Sequence, residues 1–212
     1  MAAEIVGALG VPHTPIYPAL VEREGSGCDT ARFFASLTRE LEAMRPDLMV
    51  VFDTDHLNMF FLDNLPIFAV GVTATFKGPN DEPRAVPIYT IKSRPDVASH
   101  IRRLGIEAGY DLALAQEFTV DHSVVVPLHF LTPRMQIPVI PIFVSGHLAP
   151  LAAARRCFAL GTAVKRAIDS FPPCAFRRTA SRPRGLDRAA DPREGATNRK
   201  SHGLSLDSRS LI

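Results

Sequence analysis

In the segment DLMVVFDTDHLNMFFLDNLPIFAVG, Asp47 to Gly71, two apolar runs flank a turn rich in Asp and Asn that carries one histidine, His56. The first run is continuous through Phe52, without polar alternation, the pattern of a strand covered on both faces of its sheet. PIFAVG has the same character, so the segment reads strand, turn, strand. Upstream, DTARFFASLTRELEAMRP places Phe33, Phe34, Leu37, Leu41 and Met44 at helical spacing, with Asp29 or Thr30 as cap and Pro46 as stop. Before it, EIVGALG reads as a first strand, followed by the loop VPHTPIYPAL, whose prolines argue against a helix.

Downstream, RPDVASHIRRLGIEAGY predicts a helix with Pro95 in its first turn, and DLALAQEF a strand. DHSVVVPLHFL starts at a cap on Asp121, and IPVIPIFVS is a further strand. LAPLAAARRCFALGTAVKRAIDSF predicts a long helix with an apolar face at Leu151, Ala154, Phe158, Val164 and Ile168. Strands alternating with helices imply an α/β fold, a mostly parallel or mixed central sheet flanked by helices.

Composition divides the chain near Pro172. The 212 residues carry a formal charge of +2, but residues 173–212 hold eight Arg and one Lys against four acids, which leaves the body at −3. An acidic body lacks the basic stripe that phosphate neutralisation needs, so nucleic acid is not an expected partner. Three cysteines, Cys28, Cys157 and Cys174, show no CxxC spacing, which argues against a disulfide framework and fits a reducing cytoplasm. MAAEIVGALG has no basic leader region and no apolar run approaches about 18 residues, so neither export nor a membrane span is expected.

After Pro172 the valines stop and only six Leu, Ile or Phe remain in forty residues, the composition of a disordered tail. The expected division is a domain over 1–172 and a basic tail over 173–212. An α/β domain whose last helix ends near Ser170 would return into the sheet with another strand, and none is legible. The expectation is an incomplete domain, cut short or read out of frame near residues 172–174.

Ligands of open α/β sheets lie outside the carboxyl ends of the strands. Four of the seven histidines stand just after an expected strand: His13, His56, His122 and His147. Converging neutral imidazoles, with Asp53, Asp55 and Asp121 near them in sequence to orient them, suit a divalent metal. His100 and His129 fall inside helical patterns and read as structural.

Four motifs carry a family resemblance: GVPHTP after the first strand, DHLNMFFLDNLPIFAVG after the second, VDHSVVVPL, and RRCFALGTAVKRAIDSFP. Over roughly residues 4–172 the chain resembles the class III extradiol ring-cleavage dioxygenases, the family of the protocatechuate 4,5-dioxygenase beta subunit, gallate dioxygenase and the dihydroxyphenylpropionate dioxygenases. The resemblance implies Fe(II) held by His13 and His56, with Asp53, Asp55 and Asp121 as supporting residues. It implies His122 as an active-site acid or base, a catecholic substrate, and O2 as co-substrate. The family more often has DHG where this chain has Asp121, His122 and Ser123, so the backbone at Ser123 must avoid positive φ.

Two parts of the family pattern lie outside these motifs: a second catalytic histidine on a Gly-Ser-Gly-Gly-like turn after the last helix, and the glutamate that completes the iron site. Glu194 and His202 match neither, and His147 or Asp121 are the candidates to stand in for the glutamate. A catalytically inactive relic or partner-binding module with weak metal binding is the alternative expectation, and a zinc hydrolase a third. Assembly as a homo-oligomer or with a separate small subunit is left open.

The charged, Pro-rich Lys77 to Pro87 reads as a solvated connection, the alternative being a lid or subunit contact. Within it, Arg84 is a candidate for a substrate carboxylate. Arg155 and Arg156 read as a solvated helix face.

Overall fold

A computed structural model describes residues 3–172 of the chain. The expected tail over 173–212 lies outside the described residues. Five helices and six strands follow in the order α1 (Tyr17–Glu24), α2 (Asp29–Met44), β1 (Met49–Asp53), β2 (Phe68–Gly71), β3 (Thr75–Gly78), β4 (Tyr89–Lys92), α3 (Pro95–Glu107), β5 (Leu112–Ala115), α4 (His122–Leu131), β6 (Val139–Val144) and α5 (Ala154–Asp169).

The central sheet has the order β1-β6-β2-β5 and is mixed. β1 pairs with β6 and β2 with β5 in parallel, whereas β2 and β6 are antiparallel, with Ala69 opposite Phe143. The carboxyl ends of β1 and β6 therefore share one edge of the sheet, and those of β2 and β5 lie at the other.

Alternation along the strands sorts the core into two layers. Phe68, Val70, Ile140 and Ile142 meet Val97, Ala98 and Ile101 of α3 and Leu160, Val164 and Ala167 of α5. On the opposite face Ala69, Val139 and Phe143 meet Val124, Val125 and Leu128 of α4, with Phe76 and Ile91 of the β3–β4 hairpin. A third cluster of Phe34, Leu41 and Leu131 fixes α2 against α4 and gathers Leu9 and Val11 from the N-terminal segment. Ile142 is fully buried, so Ile142→Ala should lower stability by about 2–5 kcal/mol, read as an earlier urea midpoint.

The structure departs from the sequence expectation in five places. EIVGALG joins no strand: Ile5 and Val6 are exposed, and Gly7 lies so close to α2 that a Cβ there would stand 2.4 Å from Met44 Sδ. The following prolines do not bar a helix, because Pro18 sits in the first turn of α1, where a missing N–H costs nothing. Cys28, rather than Asp29 or Thr30, caps α2, its Sγ accepting from Ala31 N at 3.5 Å.

α5 buries Leu160, Ala163, Val164 and Ala167, while Phe158 is 81% exposed and Leu151 precedes the helix. The small residues of that stripe let α5 lie close to the sheet and α3, and a stripe carrying Phe158 could not. Lastly, Lys77 to Pro87 is a largely exposed connection as expected, but it closes an antiparallel β3–β4 hairpin that the sequence reading did not include, Phe76 opposite Ile91.

Candidate metal centre

The turn after β1 is built on Asp55. Its carboxylate, nearly buried, accepts from the backbone N–H groups of Asn58 (3.2 Å), Met59 (3.0 Å) and Phe60 (2.9 Å). One acidic side chain thus satisfies three donors that a chain leaving a strand would otherwise strand in a half-buried place. Leu57 takes a left-handed conformation (φ 61°) to complete this turn, and His56 is carried at its start.

Asp121 then fixes the ring. Asp121 Oδ2 accepts from His56 N at 2.8 Å and pairs with His56 Nδ1 at 2.9 Å, and Asn58 Nδ2 donates to the same oxygen at 3.3 Å. Its other oxygen caps α4 by accepting from Ser123 N at 2.8 Å and is also bound by Ser123 Oγ. Ser123 Oγ reaches Asp53 Oδ2 as well, at 3.1 Å. So the residue that starts helix α4 also orients a histidine 65 positions away.

His122 is held in the same manner by a residue the sequence did not single out. Asp81, from the β3–β4 connection, accepts from His122 N at 3.0 Å through Oδ1 and pairs with His122 Nδ1 through Oδ2. Asn80 fastens that connection, donating from Nδ2 to Asn58 O (3.0 Å) and Thr119 Oγ1 (2.9 Å). Nothing in the local sequence marks Asp81, since its partner is 41 residues downstream; an acid beside a loop Asn is the sole signal.

The four expected histidines come together. Ring centres of His13 and His56 are 5.3 Å apart, those of His56 and His122 4.3 Å, those of His13 and His122 5.9 Å, and those of His56 and His147 4.4 Å. One nitrogen from each of His13, His56 and His122 falls within 4.8 Å of the others.

They arrive by different routes than expected. His56 and His147 do follow the carboxyl ends of β1 and β6. His13 follows no strand, its segment being seated by Leu9 and Val11. His122 is delivered from the wrong end of β5, by a six-residue run, 116–121, that returns past β3, where Lys77 and Thr119 form an isolated bridge.

His100 and His129 stand elsewhere. His100 Nε2 meets Ser170 Oγ at 3.1 Å, and His129 Nδ1 meets Tyr89 Oη at 2.7 Å.

The electrostatics favour a cation. Burial, followed by repulsion from His56 and His122, lowers the His13 pKa and keeps its imidazole neutral. Burial also pushes Asp121 upward, but hydrogen bonds from Ser123 and His56 outweigh it and hold the carboxyl below its ordinary value. Asp53 is pushed well up by burial, against the pull of Ser123, with the Asp121 and Asp55 charges adding to the rise. Asp53 Oδ1 and Thr54 Oγ1 are buried without a hydrogen-bond partner.

The donor set fits a first-row divalent metal. His56 and His122 spend Nδ1 on a carboxylate and keep Nε2 free, the arrangement in which an acid behind the ring fixes the tautomer and strengthens the ligand. Among the described residues no helix is long and apolar enough to cross a membrane. Cys28 and Cys157 are both free thiols.

Similarity to known proteins agrees with this geometry. Residues 7–176 match the family described as the catalytic LigB subunit of aromatic ring-opening dioxygenase. A 2,3-dihydroxyphenylpropionate/2,3-dihydroxicinnamic acid 1,2-dioxygenase of Klebsiella pneumoniae (strain 342) is 34% identical over 161 residues, 74% of this chain and 49% of the relative. The enzyme of the same name from Mycobacterium sp. (strain MCS) is 36% identical over 155 residues, 69% of this chain and 44% of the relative. The chain thus spans about half the length of these curated relatives. The matched residues contain the three histidines, the two carboxylates that hold them and the sheet that brings them together, and the chain belongs to the LigB family of class III extradiol aromatic ring-opening dioxygenases.

Proposed function

We propose that this chain is a non-heme Fe(II)-dependent extradiol dioxygenase subunit that opens a catecholic ring beside its diol with O2. The observation that carries the reading is the convergence of His13, His56 and His122, two of them fixed at Nδ1 by buried or half-buried carboxylates. His13 and His56 would hold the metal. Fe(II) held there would accept the diol as a chelating ligand and offer a route for electrons from ring to oxygen.

The chain's own groups supply the rest. Asp121 keeps His56 Nε2 aimed at the centre, and Asp55 holds the turn that carries His56. Asp53, behind Ser123, completes the support of Asp121. His122 Nε2 is free to take a proton from a diol hydroxyl and to return one to the opened product. Asp81 stabilises the charged imidazolium between those transfers, as an acid behind a catalytic histidine does.

The proposed substrate class is a catechol, with O2 as second substrate, in a cytoplasmic setting to which the free thiols Cys28 and Cys157 are suited. Homo-oligomerisation or pairing with a small subunit is compatible with the fold.

A second reading is a binding module that holds a metal weakly and turns nothing over. It is favoured by one observation: among the described residues, Asp81 and Asp121 at the cluster are each spent on a histidine. Oxygen uptake by the chain, reconstituted anaerobically with Fe(II) and offered a panel of catechols that includes 2,3-dihydroxyphenylpropionate, separates the two. The dioxygenase reading expects uptake with a yellow ring-fission product, and folded, metal-loaded protein without uptake leaves the binding module. Asp81→Asn should lower turnover about 10–100-fold while leaving Fe(II) affinity within a few-fold, because it loosens the tautomer of His122 and not the ligands.

A further inference from the structure

Three acids are linked to the turn that carries His56, and hydrogen-bond donors are shared unequally among them. Asp121 accepts from His56 N, His56 Nδ1, Asn58 Nδ2, Ser123 N and Ser123 Oγ. Asp55 accepts from the backbone N–H groups of Asn58, Met59 and Phe60. Both sets suit an ionised carboxylate, which can only accept. Asp53 is placed otherwise: its Oδ1 is buried and meets no donor among the described residues, and its Oδ2 meets Ser123 Oγ at 3.1 Å.

Counting protons at Ser123 gives the direction of these bonds. A hydroxyl has one hydrogen to donate and two lone pairs to accept with. Ser123 Oγ touches two carboxyl oxygens, Asp53 Oδ2 and Asp121 Oδ1, and its single hydrogen can serve only one of them. The contact with Asp121 is the closer. Were both acids ionised, the other contact would set lone pair against lone pair. One further proton removes that conflict, and Asp121, already facing donors on both oxygens, has no place for it. It belongs on Asp53 Oδ2. Burial pushes the Asp53 carboxyl well up, and the Asp121 and Asp55 charges add to the rise, which is the same direction. Leaving Oδ1 without a donor also costs less for a neutral carboxyl than for a carboxylate.

We propose that Asp53 is a neutral, donating acid and that it forms with Ser123 a one-directional chain, Asp53 Oδ2–H to Ser123 Oγ–H to Asp121 Oδ1, which positions Asp121 behind His56. This deepens the reading of His56 as a metal ligand given above and rests on it. A hydroxyl that accepts a hydrogen bond donates a stronger one, so the chain tightens the grip on Asp121 Oδ1 and keeps Oδ2 turned to His56 Nδ1. Asp53 and Asp121 together then carry one negative charge and not two, and that charge stands one hydrogen bond from the His56 ring. Asp53 and Ser123 both act through Asp121 and are positioning residues.

The test compares the full chain with Asp53→Asn, Asp53→Ala, Ser123→Ala and His56→Ala, each metal-free and then titrated with Co(II). Infrared spectra of the metal-free proteins near neutral pH, in H2O and D2O, read the proton directly. The inference expects the difference between parent and Asp53→Asn to contain the carbonyl stretch of a protonated carboxyl group, shifted on deuterium exchange. Its absence overturns the inference. Asparagine has the shape of aspartate, so this comparison stands even where alanine at 53 fails to fold. An asparagine amide also donates without bearing charge, so Asp53→Asn should recover most of the Co(II) affinity that Asp53→Ala loses, about tenfold, and Ser123→Ala should lose as much. Asparagine as damaging as alanine, in proteins that melt like the parent, would show that Asp53 acts as an anion. Parental affinity in Ser123→Ala would show that the hydroxyl serves folding alone, and either result sinks the inference. The underlying reading is judged separately: loss of Co(II) binding in His56→Ala upholds it. Parental binding by His56→Ala, or a parent that binds no Co(II), sinks that reading and the positioning role with it, while the infrared band still decides where the proton lies.

Discussion

His56→Ala is expected to reduce Fe(II) affinity by at least 100-fold and to abolish catechol-dependent oxygen uptake, with little loss of fold. The effect is large because His56 is the hub of the cluster: its ring lies against those of His13, His122 and His147 at once. On the proposed reading, removing it takes away a ligand and opens the space that spaces the other three. The fold should survive, since the ring is about a quarter exposed and the turn is fastened by Asp55, not by His56. Equilibrium dialysis against Fe(II) under anaerobic conditions and an oxygen electrode read the two losses separately. Affinity within threefold of the parent would show that the metal lies elsewhere.

Asp121→Ala should be the most damaging single change at the site, costing about 3–5 kcal/mol of stability as well as metal affinity. The side chain is 1% exposed and accepts from His56 N, His56 Nδ1, Asn58 Nδ2, Ser123 N and Ser123 Oγ. Each buried donor left unsatisfied costs about 1–3 kcal/mol, and part of that is recovered by water and local relaxation. Asp121→Asn keeps the shape and one acceptor oxygen, so it should fall between parent and alanine in a chemical denaturation series. Equal stability for Asn and parent would mean that the negative charge contributes nothing to the network.

Much of this site is legible before any coordinates. His13, His56 and His122 stand out because each follows an apolar run in a short segment rich in Pro, Asp or Asn, and Asp121 stands out as the cap of an apolar helix. Four of the six strands can be read from apolar runs, and α3 and α4 begin where Pro95 and Asp121 say they should. The hairpin escaped because KGPNDEPRAVP looks like a solvated connection, and its flanking strands are only four residues each, with one face exposed on β3.

Phe158 misled for a related reason. Apolar periodicity marks which residues can be buried, not which stripe a neighbour covers, and α5 offers two overlapping stripes.

The sequence by itself determined β1, β2, β5 and β6, the starts of α3 and α4 and the three histidines, because caps, proline positions and apolar periods act within a few residues. Only the tertiary structure decided that β2 and β5 run against β1 and β6, that the N-terminal segment lies on Met44 and does not pair as a strand, and that Asp81 stands behind His122. Strand direction and hydrogen-bond partnership are chosen by contacts 40 to 90 residues apart in the chain. Such contacts depend on how the two apolar faces of one sheet are covered, and a local stretch of residues does not encode that.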